Sequence, residues 1–163
     1  MTVRLRPAEP GDDPFLVWLR RPEVAGEYNS FDDAVEERPP TGRDGIQRMV
    51  VTLDDGTPIG AMSWFAVTYG PNLRSRAWNI GITIAPDHRG QGHGAAAQRT
   101  LADHLFATTD ANRVEASTDV DNVAEQRALT RAGFRREGML RGAQYRRGRW
   151  HDLVLYASLR HDA

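Results

Sequence analysis

The 163-residue chain is 40% apolar and 26% charged, an ordinary water-compatible composition with room for one hydrophobic core and not two. It has no cysteine, which excludes disulfides, a thiolate nucleophile and cysteine-ligated zinc. All 21 basic residues are arginine, so Schiff-base chemistry and a phosphate-loop lysine are excluded too. A formal net charge of −1 calls for neither nucleic acid nor a membrane as partner. No apolar run approaches the ~20 residues that span a bilayer, and the opening MTVRLRPAEPGDD lacks the apolar core of a secretory signal. A cytoplasmic protein is expected.

The first element is a short strand, Val3–Arg6. A helix follows over Asp12–Arg20: Asp12 or Asp13 is placed to cap it, Pro14 suits its first turn, and Phe15, Leu16 and Leu19 recur at helical spacing. Residues 22–45, rich in proline, glycine and acid, read as a short helix and a loop. Ile46–Leu53 and Pro58–Val67 are strands joined by the turn cluster Asp54-Asp55-Gly56-Thr57. Arg76–Ala85 alternates Ile80, Ile82 and Ile84 as a strand, and Gly92–Ala107 is a helix. Arg113–Thr118 is a strand, Val123–Ala132 a helix, and Phe134–Tyr145 and Trp150–Leu159 pair around Arg147-Gly148. An antiparallel meander followed by a β-α-β-α-β run defines an α+β sheet with helices on its faces, in one domain spanning 1–163.

The strongest local signal follows Ile84. Gly90, Gly92 and Gly94 alternate at the mouth of a helix. Without Cβ atoms the backbone can approach a ligand closely. The first N–H groups of a helix are unpaired and sit at the positive end of its dipole, an arrangement suited to phosphate or pyrophosphate. The stretch lacks the lysine of a phosphate loop. Gly90-x-Gly92-x-x-Ala95 also matches a dinucleotide fingerprint, with Glu115 or Asp119 downstream at about the ~20-residue distance that fingerprint requires. Against that, Pro86-Asp87-His88-Arg89 separates the strand from the glycines, and the chain lacks repeated β-α-β halves.

The pattern Arg89-x-x-Gly92-x-Gly94 between strand and helix resembles the acetyl-CoA signature of the GNAT N-acetyltransferases. The downstream run from Asn122 to Gly133-Phe134 resembles that superfamily's second cofactor-proximal segment, Asn-x-x-Ser-x-x-x-Leu-x-x-x-Gly-Phe. With Glu137-Gly138 and Trp150-His151-Asp152-Leu-Val-Leu-Tyr156, the chain resembles the branch that acetylates ribosomal-protein N-termini and small amines, over roughly residues 3–160. The resemblance implies a mixed, mostly antiparallel sheet of six or seven strands with about four helices and a splayed parallel pair holding acetyl-CoA. It implies direct attack of a primary amine on the thioester, with no metal, and allows a homodimer. Carried over residue by residue, Ile82 and Ile84 offer main-chain contacts to pantetheine. Arg89, Gly90, Gln91, Gly92, His93, Gly94 and Ala95 offer N–H groups to the pyrophosphate, and Asn122 reaches toward the thioester.

Two positions depart from the pattern. Glu125 stands where the superfamily has serine; it reads as the third helical residue of a capping box with Asn122. Asn79 stands where many relatives have a glutamate base. Asp152, Glu27 and Tyr145 are the candidates for proton transfer, with His151 behind them. Trp64 and Tyr69 either wall the acceptor pocket or pack. Asp32, Asp33, Glu36 and Glu37 would suit a cationic acceptor, and the arginines at 135, 136, 141, 146, 147 and 149 form either a basic rim or a solvated strand face. A non-catalytic acyl-CoA-binding module and an acyltransferase acting on aminoacyl-tRNA are the alternative functions.

Overall fold

A computed structural model describes residues 2–31 and 45–162. Among these residues seven strands form one sheet: β1 (Arg4–Arg6), β2 (Gln47–Thr52), β3 (Pro58–Thr68), β4 (Arg76–Ile84), β5 (Arg113–Asp119), β6 (Arg135–Arg146) and β7 (Arg149–Leu159). Their order is β1-β2-β3-β4-β5-β7-β6. Every neighbouring pair is antiparallel except β4–β5. Helices α1 (Asp13–Leu19), α2 (Pro22–Ala25), α3 (His93–Thr108) and α4 (Val123–Arg131) complete the expected α+β architecture.

Strand alternation decides which helix covers which face. In β3, Met62 belongs to the main core and its neighbour Ala61 to a small second cluster with Leu19, Val24, Ala85 and Phe15. Successive residues of a strand face opposite sides, so α1 and α2 cover one face and α3 and α4 the other. Helix α3 contributes Ala97, Leu101 and Leu105 at helical spacing, all at most 2% exposed. They pack with Val51, Ile80, Val114 and Leu129. Trp64 is part of this core, 5% exposed.

One local expectation is corrected here. Asp12 does not cap α1 with its side chain. Its carboxylate accepts Arg6 Nη1 at 2.6 Å, Arg6 Nη2 at 2.8 Å and the Glu9 N–H at 2.8 Å. The paired guanidinium, then the Glu9 N–H, hold that carboxyl down at about 2. The acid therefore ties β1 to the turn before α1.

Candidate active site

The parallel pair β4–β5 makes only two register contacts, Trp78 with Val114 and Asn79 with Glu115. Beyond them the strands part, although β4 stays paired to β3 as far as Ile84 and β5 stays paired to β7 as far as Asp119. The closed end is fastened by Glu115, only 4% exposed. Its carboxylate accepts Tyr69 Oη at 2.7 Å, Arg113 Nε at 2.8 Å and Asn79 Nδ2 at 3.4 Å. Arg113 also grips Glu137 on β6 through two bonds, of 2.8 and 2.7 Å. Asn79 and Tyr69 are thus fastenings of the closed end and line none of the cavities around the splay.

At the open end a groove of about 550 Å³ runs from the glycine loop to the gap between the strands. Ile82, Thr83 and Ile84 form one wall, Asn122, Ala124, Glu125 and Ala128 the facing one, and His88 to Ala95 supply most of one end. Gly90 and Gly92 have φ of 72° and 86°, a region that penalises any side chain. Gly94 is helical, and a Cβ built there, or at Gly90 or Gly92, meets nothing within 4 Å. The glycines therefore border open space. The first helical turn has only the Ala96 N–H bonded back to Gly92, at 3.1 Å. The N–H groups of His93, Gly94 and Ala95 precede that bond and face the anion-favouring end of the helix.

Arg89 behaves differently from the rest of the loop. Its N–H is bonded to the Pro86 carbonyl at 3.2 Å. Its guanidinium donates to the Ile84 carbonyl at 2.8 Å and to the Val24 carbonyl. It ties the end of β4 to α2, which corrects the expectation that its N–H serves a pyrophosphate. His93 is buried at 3% exposure, with Nδ1 lacking a partner among the described residues. Burial, with His88 nearby, pulls its imidazole below the ordinary range. Arg127 and Arg131, one turn apart on α4, also line the groove. Their spacing was visible in the sequence, but nothing there shows which face of α4 meets a ligand.

A smaller cavity of about 120 Å³ lies between the parted strands and shares Tyr28, Asn29, Ile82, Asn122 and Glu125 with the groove. Asn122 caps α4 as expected, its Oδ1 accepting the Glu125 N–H at 3.3 Å, while its Nδ2 donates to Thr118 Oγ1 at 3.0 Å. Glu125 does not complete the capping box: the Asn122 N–H goes to the Asp119 carbonyl at 3.0 Å instead. Glu125 lines both this cavity and the groove, and its carboxyl forms no ion pair among the described residues. Burial pushes it up to about 7, and the nearby Gln98 side chain opposes this only in part. Gln98 is 1% exposed, and neither of its amide atoms completes a hydrogen bond in the described structure.

Behind this cavity, Asp119 and Arg146 are each 3% exposed and paired at 2.5 Å. His151 Nδ1 lies 3.0 Å from the same Asp119 oxygen and its Nε2 lies 3.0 Å from the Arg146 carbonyl. Burial works against the charge on Asp119, but the Asp121 N–H and the Arg146 guanidinium outweigh it and hold the carboxyl below its ordinary range. Arg146 therefore belongs to an internal cluster, and to neither the basic rim nor the solvated strand face that the sequence left open. The other five arginines of the 135–149 stretch are exposed.

The three catalytic candidates are dispersed. Glu27 lines the groove and is exposed. Asp152 accepts the Gly142 N–H at 2.7 Å, spanning the irregular register between Leu140 and Gln144, and lines none of these cavities. Tyr145 is 52% exposed and stacks edge-on against Trp150 at 5.3 Å, outside them as well. The residues that border both cavities at the junction are Tyr28, Asn29, Ile82, Asn122 and Glu125. Asp32, Asp33, Glu36 and Glu37 lie outside the described residues.

A half-open parallel pair, with a glycine loop and unpaired helix N–H groups at its mouth, is an arrangement suited to an anionic group at one end and an extended chain between the strands. A family model for the acetyltransferase (GNAT) domain matches residues 2–135, and the chain belongs to that family. It is 31% identical over 113 residues to the probable N-acetyltransferase YjcK of Bacillus subtilis, a match covering 69% of this chain and 61% of YjcK. The Mycobacterium smegmatis RimJ structure, in complex with CoA-disulfide, superposes with a TM-score of 0.78 at 23% identity, covering 96% of this chain and 81% of RimJ. The spermidine N-acetyltransferase of Vibrio cholerae, in complex with CoA and spermine, gives 0.77 at 21% identity, covering 98% and 96%. The matched part of the chain spans 47 to 62% of the length of the curated relatives. Among the described residues no helix is long and apolar enough to cross a membrane.

Proposed function

We propose that this chain transfers an acetyl group from acetyl-CoA to a primary amine, on a small molecule or a protein N-terminus, by direct attack on the thioester. The observation that carries this reading is the continuity of the groove from the glycine loop to the gap between β4 and β5. The N–H groups from Gly90 to Ala95 hold the pyrophosphate, with Arg127 and Arg131 beside it. The open edge of β4 at Ile82 and Ile84 receives the pantetheine arm, since β5 leaves that edge unpaired. The thioester then lies at the junction bordered by Tyr28, Asn29, Asn122 and Glu125. Family membership and the coenzyme-bound neighbours support the donor; they leave the acceptor to be found. The protein is read as cytoplasmic.

The chemistry asks for a neutral amine, a donor to the thioester oxygen as charge builds there, and a proton for the departing thiolate. Thermal shift with CoA, acetyl-CoA and NAD tests the first step. A ligand at 100 times its dissociation constant stabilises the native state by ~2.7 kcal/mol. A shift with both CoA species and none with NAD, followed by thiol release over a panel of amines, is the expected result. A response to NAD alone would remove the reading, and CoA binding without thiol release from any amine would favour a non-catalytic CoA-binding module.

A further inference from the structure

We infer that the Glu125 carboxyl is the proton donor to the departing CoA thiolate, which makes it a catalytic residue in the acetyl transfer proposed above. The inference rests on that reading and on three features of the junction. First, Glu125 borders both the groove and the cavity between the parted strands, a position it shares, among the described residues, with Tyr28, Asn29, Ile82 and Asn122. A coenzyme fixed at the glycine loop and laid along the groove brings its reactive end there. Second, the carboxyl lacks the duty its sequence position suggests, because it does not bond the Asn122 N–H. Third, its neighbour Gln98 is a buried amide whose two polar atoms remain unpaired among the described residues. A buried polar atom without a partner is costly, and this one borders the same small cavity.

The charged and titratable surroundings leave Glu125 unneutralised. From the turn after α2 come Glu27, exposed, and Tyr28, whose phenol burial pushes upward. From β5 comes Asp119, already held by Arg146. Arg89 is turned to backbone carbonyls, and Arg127 lies farther along the groove with His88 and Arg131. Among the described residues no charged partner contributes to Glu125, so burial dominates and keeps a large share of the carboxyl protonated near neutrality. A protonated carboxyl has an O–H to give, which a carboxylate lacks.

The step balances as follows. The amine lone pair forms the C–N bond and the carbonyl π pair moves to oxygen. Collapse breaks the C–S bond, the electron pair goes to sulfur, and the Glu125 proton follows it. The nitrogen releases its extra proton to solvent, and solvent reprotonates Glu125. The net change is thioester plus amine to amide plus thiol.

The test measures thiol release against pH for the unsubstituted protein, Glu125→Gln, Glu125→Asp and Tyr28→Phe. The acceptor is an amine basic enough to react but deprotonated throughout the range. Glu125→Gln is expected to lower kcat by about 100-fold, to keep acetyl-CoA binding by thermal shift, and to lose the fall in kcat above pH about 7 shown by the unsubstituted protein. Glu125→Asp, which keeps a carboxyl, recovers part of the rate and that limb, and guards against a glutamine variant that folds poorly. Thiol release and a pH profile unchanged in Glu125→Gln would overturn the assignment and leave acetyl transfer intact. So would loss of the alkaline limb in Tyr28→Phe alone. No thiol release from the unsubstituted protein with any amine would instead overturn the acetyl-transfer reading, and the assignment with it.

Discussion

The two ends of the β4–β5 pair each hold a glutamate, and the fold treats them in opposite ways. At the closed end Glu115 is surrounded by donors from β4, β5 and the turn just after β3: Asn79, Arg113 and Tyr69. At the open end Glu125 faces a cavity without an ion pair among the described residues. A carboxylate with several donors and a cation is a structural fastening, whereas one with a single amide neighbour and no cation among the described residues favours its protonated form. Strand β5 carries the difference along its length. Glu115 fastens its first half to β4, and Asp119 fastens its far end to Arg146 and His151 of the β6–β7 hairpin. The gap between β4 and β5 opens between these two anchors.

Removing the far anchor is expected to have the largest effect. Arg146→Met leaves Asp119 buried and charged, and should cost about 3–5 kcal/mol in urea unfolding. Adding Asp119→Asn to that variant should restore part of the loss, because the stranded charge is then gone. A loss below ~1 kcal/mol, the range of an exposed pair, would show that the cluster does not anchor β5.

The second test sets the open end against the closed one. Glu125 has an ordinary value of 4.5 and is raised to about 7 in the fold. Between those values the folded state binds more protons than the unfolded state, so unfolding free energy falls as pH rises. The stability held below 4.5 is lost once pH passes about 7, by at most about 3 kcal/mol. Glu125→Gln should erase that slope, making the variant relatively more stable at pH 8 than at pH 4, about the two sides of the transition. Glu115→Gln should instead destabilise at neutral pH, by about 1–3 kcal/mol, since Arg113 loses a charged partner. Identical pH profiles for Glu125→Gln and the unsubstituted chain would remove the distinction between the two ends.

Much of this was legible in the sequence. Apolar alternation gave strands and helices to within a residue or two, and the glycine run marked the mouth of α3. Asn122 was legible as a cap because capping is a local interaction between a side chain and a backbone N–H three residues on. The proton-transfer residues were not, because their roles depend on which way side chains point once strands from distant parts of the chain pair. Asp152 sits on the predicted strand, but the irregular stretch of β6 opposite it claims its carboxylate. Tyr145 is exposed and stacks on Trp150. Glu125 fits a capping box by spacing, and only the turn at Asn122, which sends its N–H to Asp119, frees the carboxyl for the cavity. Gln98 gave no signal because a lone glutamine on a helix has no pattern to stand out from.

The smallest expected stability effects distinguish a loop shaped by its backbone from a loop shaped for a ligand. Gly92 has φ of 86°, so Gly92→Ala should cost about 1–2 kcal/mol in the left-handed region. Gly94 is helical and its Cβ direction is open, so Gly94→Ala should be neutral or stabilising, by up to about 1 kcal/mol from helix propensity. Thermal melts without ligand should therefore separate the two variants. Titration with CoA should bring them together, because a methyl group at either position enters the open space proposed for the pyrophosphate. Weaker CoA binding by Gly94→Ala, in a protein no less stable, would assign that glycine to the ligand alone. Unchanged binding would place the pyrophosphate away from the start of α3 and leave Gly92 as a residue required only by the turn.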